Sequence, residues 1–227
     1  MTQAQIYLAE QRGCSQMAHL QSYHTFNFGQ YIAENREPFG DLFVVNDDIL
    51  TAGHTLNMTL EDNFDVILIP LVGGLEYNNE LEMGFIETGE IQVFSGKKGV
   101  NYQLRNPYET ESINFLQIWV RNTTSNFIPT IQQNTFDLGD TNRLLPLFNT
   151  ANQQGFIGKY DGRKKGLLLP TQSNARFFCF VINGAFEVQD RLLHARDGLA
   201  LENFEEIDFE ALSNDAILFV LTDYIPV

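Results

Sequence analysis

Apolar residues in this chain fall into short runs separated by clusters of Gly, Asn, Asp and Ser. Residues 42–45, 56–60, 66–72, 85–87, 90–94, 100–104 and 113–120 each read as a strand. The punctuation between them is Asn46 to Asp48, Gly73 and Gly74, Asn78 and Asn79, Thr88 and Gly89, and Ser95 and Gly96. These residue types tolerate turn dihedrals. Many short strands with no long helical period predict a sandwich or barrel. From 121 to 146 the pattern breaks: residues 122–126 read as a polar loop and the segment to 140 as a connector. Strands resume at 166–169, 177–181, 185–188, 199–201 and 217–222, with an Asn183-Gly184 turn joining two of them in a hairpin-like manner. Asp197 and Gly198 precede Leu199 as Gly89 precedes Glu90. The expectation is two β-rich domains in tandem, 1–134 and 135–227, sharing architecture rather than sequence.

Composition narrows the classes of function. A chain of 227 residues with 44% hydrophobic residues and 19 Phe is long and apolar enough for a sizeable core. The net charge of −15 repels phosphate backbones and anionic membrane surfaces, so neither nucleic acid nor membrane is expected as a partner. Arg163, Lys164 and Lys165 form the one basic cluster and read as a solvated loop. Two cysteines, Cys14 and Cys179, are too few for a disulfide framework and lack metal-ligand spacing. No signal-like start or membrane-length apolar stretch is read, so a soluble cytoplasmic protein is expected.

One stretch carries candidate chemistry. From Gly53 the chain reads Gly-His-Thr-Leu-Asn-Met-Thr-Leu-Glu-Asp-Asn-Phe-Asp, then an apolar strand, then Gly73. This spacing resembles the first cupin motif, a glycine followed by His-x-His and Glu places and a second glycine. The resemblance extends to the pirin family of two-barrel cupins. It is carried by Arg12 and Gly13, by residues 20–29 with Tyr31, by Phe39, Gly40 and Leu42, and by Val45 to Asp48. Residues 115–120, Pro129 and Gln133 continue it; Asp161-Gly162-Arg163, Asn183-Gly184, Asp197-Gly198 and residues 216–219 extend it into the second half. It implies an all-β bicupin, two double-stranded β-helix (jelly-roll) barrels.

The resemblance also implies a metal held by His-x-His on one strand and His-x-Glu on another. Here those places hold Thr59, Glu61, Tyr102 and Leu104, and the motif's own Glu place holds Asp65. Period-two alternation groups Asn57, Thr59 and Glu61 on one strand face. The fold so implied would aim them, with Tyr102 and Leu104, into the first barrel. A non-heme Fe(II) oxygenase site takes roughly two imidazoles and a carboxylate. The expected pocket is Asn57, Thr59, Glu61, Asp65, Tyr102 and Leu104, without a bound metal cofactor. Glu61 is either hydrogen-bonded to Tyr102 or solvated, and Tyr102 fills the volume of the metal and its waters. His24 is read as a packed or backbone-bonded side chain, and the acidic stretch 202–210 as a solvated face.

Two functions follow from this reading. The first is a non-catalytic pirin-like scaffold that binds a small aromatic or phenolic ligand, or a protein partner in a regulatory role, as monomer or homodimer. The alternative is a quercetin 2,3-dioxygenase-like enzyme using Fe or another divalent metal at an unorthodox site, with Glu61 as ligand or base.

Overall fold

The computed structural model describes residues 3–125, 127–150, 152–172 and 174–224. Its elements are strands, apart from one 3-10 turn at Ala9–Gln11. Among the described residues no helix is long and apolar enough to cross a membrane. Strand β1 (Gln3–Tyr7) leads into a run of eleven strands: β2 (Gly13–Gln16), β3 (Leu20–His24), β4 (Leu42–Leu50), β5 (Thr55–Thr59), β6 (Phe64–Val72), β7 (Gly74–Asn78), β8 (Met83–Glu87), β9 (Glu90–Gly96), β10 (Asn101–Arg105), β11 (Ile113–Arg121) and β12 (Ile131–Thr135). The remaining strands are β13 (Leu145–Asn149), β14 (Gln153–Tyr160), β15 (Lys165–Leu168), β16 (Ala175–Asn183), β17 (Ala185–Val188), β18 (Arg191–His194), β19 (Gly198–Glu202), β20 (Ile207–Ala211) and β21 (Ala216–Tyr224).

Two compact units result, Arg12–Thr135 and a second made of Met1–Gln11 with Phe136–Val227. The first pairs a seven-stranded sheet, β12-β9-β6-β11-β4-β3-β2, with a four-stranded one, β5-β10-β7-β8. The second repeats this plan ten strands later, as β1-β19-β16-β21-β14-β13 and β15-β20-β17-β18. In each unit apolar residues from both sheets meet in one core, including Val66, Phe115, Leu75 and Leu104 in the first and Cys179, Leu218, Phe186 and Ile207 in the second. This is the double-sheet cupin arrangement, present twice. Residues 3–7, counted with the first domain on sequence, form β1 against β19 of the second unit.

Several sequence expectations change. Asn183 and Gly184 do not close a hairpin: β16 pairs with β19 and β21, while β17 pairs with β18 and β20. The turn therefore carries the chain between sheets, as Gly73 does between β6 and β7. Gly73 has φ +76°, and a Cβ there would meet Ile113 Cγ2 at 2.9 Å, so both conformation and space call for glycine. The connector contains β12, which extends the sheet from β9. Ser95 and Gly96 complete β9 instead of turning. Asn46, Asp47 and Asp48, read as a turn, lie inside the nine-residue strand β4 and are buried. The acidic stretch after Glu202 holds β20, in which Ile207, Phe209 and Ala211 are buried while Asp208 faces out.

Candidate functional site

Strand β10 lies between β5 and β7, with Tyr102 opposite Met58, Leu104 opposite Leu56 and Asn101 opposite Thr59. This register aims Leu56, Met58 and Leu60 into the first unit's core beside Tyr102 and Leu104. Asn57 and Thr59 are exposed on the other face, where Gln103 Nε2 donates to Asn57 Oδ1 at 2.8 Å and Thr59 Oγ1 to Asn101 Oδ1 at 2.6 Å. The expected inward set Asn57, Thr59 and Glu61 is thus corrected by one residue. The physical reason is the apolar pattern: a one-residue slip would bury two polar side chains and expose Leu60. Glu61 lies beyond the end of β5 and is exposed, while the Tyr102 hydroxyl is engaged elsewhere, so these two do not pair. Asp65 is buried on β6, on the face opposite its core neighbours Phe64 and Val66, and accepts two bonds from Asn122 Nδ2 at 3.0 and 3.2 Å. Of the six expected pocket residues, only Tyr102 and Leu104 share an inward face. Thr59, Glu61, Tyr102 and Leu104 do not converge as a donor set, and Leu104 has no donor atom, so they do not fit the metal that the resemblance implies. Among the described residues no three His, Cys, Asp or Glu side chains are grouped to hold a metal ion.

What the barrel does present is a row of buried polar side chains on the inner face of its large sheet. Ser22 and His24 on β3 lie opposite Asp48 and Asn46 on β4, and Gln117 on β11 lies opposite Asn46. All five are at most 3% exposed. They line a cavity of about 670 Å³ that is bounded on the other sheet by Leu56 and Met58 of the edge strand β5. That volume suits a small organic ligand.

The hydrogen bonds give the row a direction. Trp119 Nε1, which can only donate, reaches the Tyr102 hydroxyl oxygen at 3.0 Å and Gln117 Oε1 at 3.2 Å. The Tyr102 hydroxyl donates to the same Gln117 oxygen. This fixes the Gln117 amide, whose Nε2 donates to Asp48 Oδ2 at 2.9 Å. Asp48 Oδ1 is buried without a partner in hydrogen-bond geometry, although the Ser22 hydroxyl across the strand pair faces this carboxyl. His24 Nδ1 lies 2.9 Å from Asn46 Oδ1, an acceptor, which places the ring proton on Nδ1. His24 Nε2 then accepts from Ser15 Oγ at 2.8 Å.

Electrostatics follow from burial. Desolvation pushes the Asp48 carboxyl up to about 7, against the facing Ser22 hydroxyl and the Gln117 bond, and the charge of Asp47 adds to the rise. Desolvation holds the His24 imidazole below its usual 6.5 against the Asn46 bond, and Arg12 adds to the lowering. Burial raises the Tyr102 phenol well above its ordinary value, against the Trp119 bond and with a contribution from Asp48. Tyr102 is therefore a neutral hydrogen-bonding group, and Asp48 is the cavity group that titrates near neutrality.

Sequence reasoning passed over this row. Two signals pointed to it: polar residues spaced two apart at 22 and 24 and at 46 and 48, and Gln117 in the middle of an otherwise apolar strand. A polar side chain at a core-facing strand position is costly unless bonded, so its presence there marks a network.

A duplicated double-sheet unit of this topology defines a bicupin. The pirin profile matches residues 7–120, and a profile for a quercetinase C-terminal cupin domain matches residues 161–220. The chain belongs to the pirin family. The quercetin 2,3-dioxygenase of Escherichia coli (strain K12) is 26% identical over 225 residues, covering 94% of this chain and 96% of that protein. The crystal structure of YhhW from Escherichia coli superposes with a TM-score of 0.86 at 22% identity, covering 99% of each chain. The same bacterial pirin in complex with nickel(II) gives 0.85 at 21% identity, covering 99% of this chain and 100% of that one.

Proposed function

We propose that this pirin-family chain is a non-catalytic binding protein whose first barrel takes a small organic ligand. One observation carries the reading. The inner face at the family's ligand strands is closed by Met58, Leu60, Tyr102 and Leu104, while a cavity with its own hydrogen-bonding row opens beside it. An oxygenase centre needs converging imidazoles and a carboxylate with open positions for oxygen and substrate. A thioether, two leucines and a phenol committed to Gln117 supply neither. The cavity favours a small ligand over the protein-partner role. The relatives named quercetin 2,3-dioxygenase, similar over nearly the whole chain, support the alternative, a metal-dependent oxygenase with Glu61 as ligand. The exposed turn position of Glu61 weighs against it.

The test is metal content per chain after exposure to Fe(II), Ni(II), Cu(II) and Zn(II), with oxygen uptake measured in the presence of quercetin. The expected result is metal far below one per chain and no metal-dependent uptake. A stoichiometry near one, with quercetin-dependent uptake and both lost in Glu61→Ala, would overturn the reading in favour of the oxygenase.

A further inference from the structure

The cavity's chemistry is one-sided. Asp48 Oδ1 is a buried acceptor with no partner in hydrogen-bond geometry, faced by the neutral Ser22 hydroxyl alone, and Asp48 supplies the one carboxylate among the described residues lining the space. No Lys or Arg is among those lining residues. Beside the neutral polar row, the lining includes apolar and aromatic side chains, Leu56 and Met58 on β5 and Phe28 and Tyr31 from the loop after β3. We propose that this cavity takes a small organic cation, a protonated amine on an aromatic or aliphatic body, with an N–H donated to Asp48 Oδ1. This rests on the reading of the first barrel as a ligand site and names the ligand's class.

Three physical arguments favour a cation over an anion or a neutral alcohol. A buried carboxylate without a countercharge is unfavourable, and an ammonium group supplies both the missing charge and the missing donor. Aromatic faces attract cations, so Phe28 and Tyr31 suit the charged head or its neighbouring carbons. The net charge of −15 concentrates cations near the surface and repels anions. The other ionisable groups around Asp48 do not supply the countercharge. His24 on β3 is held neutral by burial, and Tyr102 on β10 is a buried phenol. Asp47 on β4 faces the opposite side of the sheet, where Arg12 pairs with it at 3.1 Å. An alcohol or phenol would meet the orphaned acceptor but leave the charge uncompensated.

The experiment compares two probes of one shape and different charge, phenethylamine and 2-phenylethanol, by calorimetric titration at about pH 8, where Asp48 is ionised. Phenethylamine should bind with one site per chain and at least about tenfold more tightly than the alcohol. Asp48→Asn, nearly isosteric, should lose about tenfold or more for the amine and much less for the alcohol, which loses a hydrogen bond but no ion pair, with thermal melting confirming the fold. Met58→Trp, which fills the cavity and leaves Asp48 in place, should abolish binding of both. Equal affinity for the two probes would overturn the cation assignment while leaving the cavity a ligand site. Amine binding that survives Asp48→Asn or Met58→Trp would place it on the acidic surface and overturn the assignment. Binding of neither probe would overturn both this inference and the binding-protein reading.

Discussion

Replacing Asp48 by Asn should make this protein more stable, and more so as the pH rises. The Asp48 carboxyl stands at about 7 in the folded chain against 3.8 for an ordinary aspartate. A raised folded value means that the native state holds its proton more tightly than the unfolded chain. Stability from this group is therefore fully present below the unfolded value and is lost as pH climbs through the folded one. Between those limits the unfolded chain binds fewer protons, and stability falls by about 1.4 kcal/mol per pH unit. A difference of roughly three units sets the total at about 4 kcal/mol above neutrality, of which about 1–2 has already been lost at about pH 5. Urea denaturation of both proteins at about pH 5 and pH 8 isolates the group, because the remaining acids and His24 are common to both. The stability of Asp48→Asn minus that of the parent should grow by about 2–3 kcal/mol between those two conditions. The asparagine keeps an oxygen for the Gln117 amide, so the geometry of the row is preserved. A difference that stays constant over this interval would refute the reasoning, since it would mean that Asp48 is already ionised at the lower pH.

Three other outcomes follow from the same geometry. Tyr102→Phe removes the hydroxyl that accepts from Trp119 and donates to Gln117, and should cost about 1–2 kcal/mol, read as a lower urea midpoint. Arg12→Ala removes the guanidinium that pairs with the buried Asp47 at 3.1 Å and keeps the Asn114 Nδ2 bond at 2.7 Å; the loss should be about 3 kcal/mol, and a loss below about 1 would show that the ion pair adds little. In a Cys14→Ser background, a thiol introduced by Thr59→Cys should react with Ellman's reagent in the folded protein, whereas that of Met58→Cys should react far more slowly. The buried Cys179, its thiol raised by desolvation, stays silent until denaturation. Equal reactivity at 58 and 59 would contradict the register of β5 on β10.

The sequence made the central strands legible because their apolar runs are long and flanked by polar or glycine residues. Residues 66–72 and 113–120 lie within β6 and β11, at the middle of the large sheet. It did not reveal β4 in full, because Asn46, Asp47 and Asp48 have the composition of a turn. Their strand conformation is imposed by pairing with β3 on one side and β11 on the other, partners distant in sequence. Strands β1, β2 and β12 carry few apolar residues and are likewise defined by what they pair with. The error in β5 has another origin. Alternation itself separates Leu56, Met58 and Leu60 from Asn57, Thr59 and Glu61, and burial of the apolar set is the ordinary outcome. The family's ligand spacing carried the polar set inward instead, so the local pattern was the better guide to this strand.

The second unit indicates what the polar row is for. Its strands β14 and β21 occupy the places of β4 and β11 in the same topology. Where the first unit sets Asp48 opposite Phe115 and Asn46 opposite Gln117, the second sets Gly158 opposite Leu218 and Phe156 opposite Val220. Leu218 and Val220 are fully buried in a core that also holds Tyr160 and Phe186. At these places the second unit closes its interior with apolar side chains. Folding alone therefore does not explain Ser22, His24, Asn46, Asp48 and Gln117, and an orphaned carboxyl oxygen among them lowers stability near neutral pH. A costly group beside a cavity in one copy of a duplicated unit, with an apolar solution in the other, is the pattern expected when stability is traded for a site. The Asp48→Asn variant should accordingly gain stability and lose the amine together. A variant that gained stability while keeping full amine affinity would separate the two and leave the buried carboxyl without a functional account.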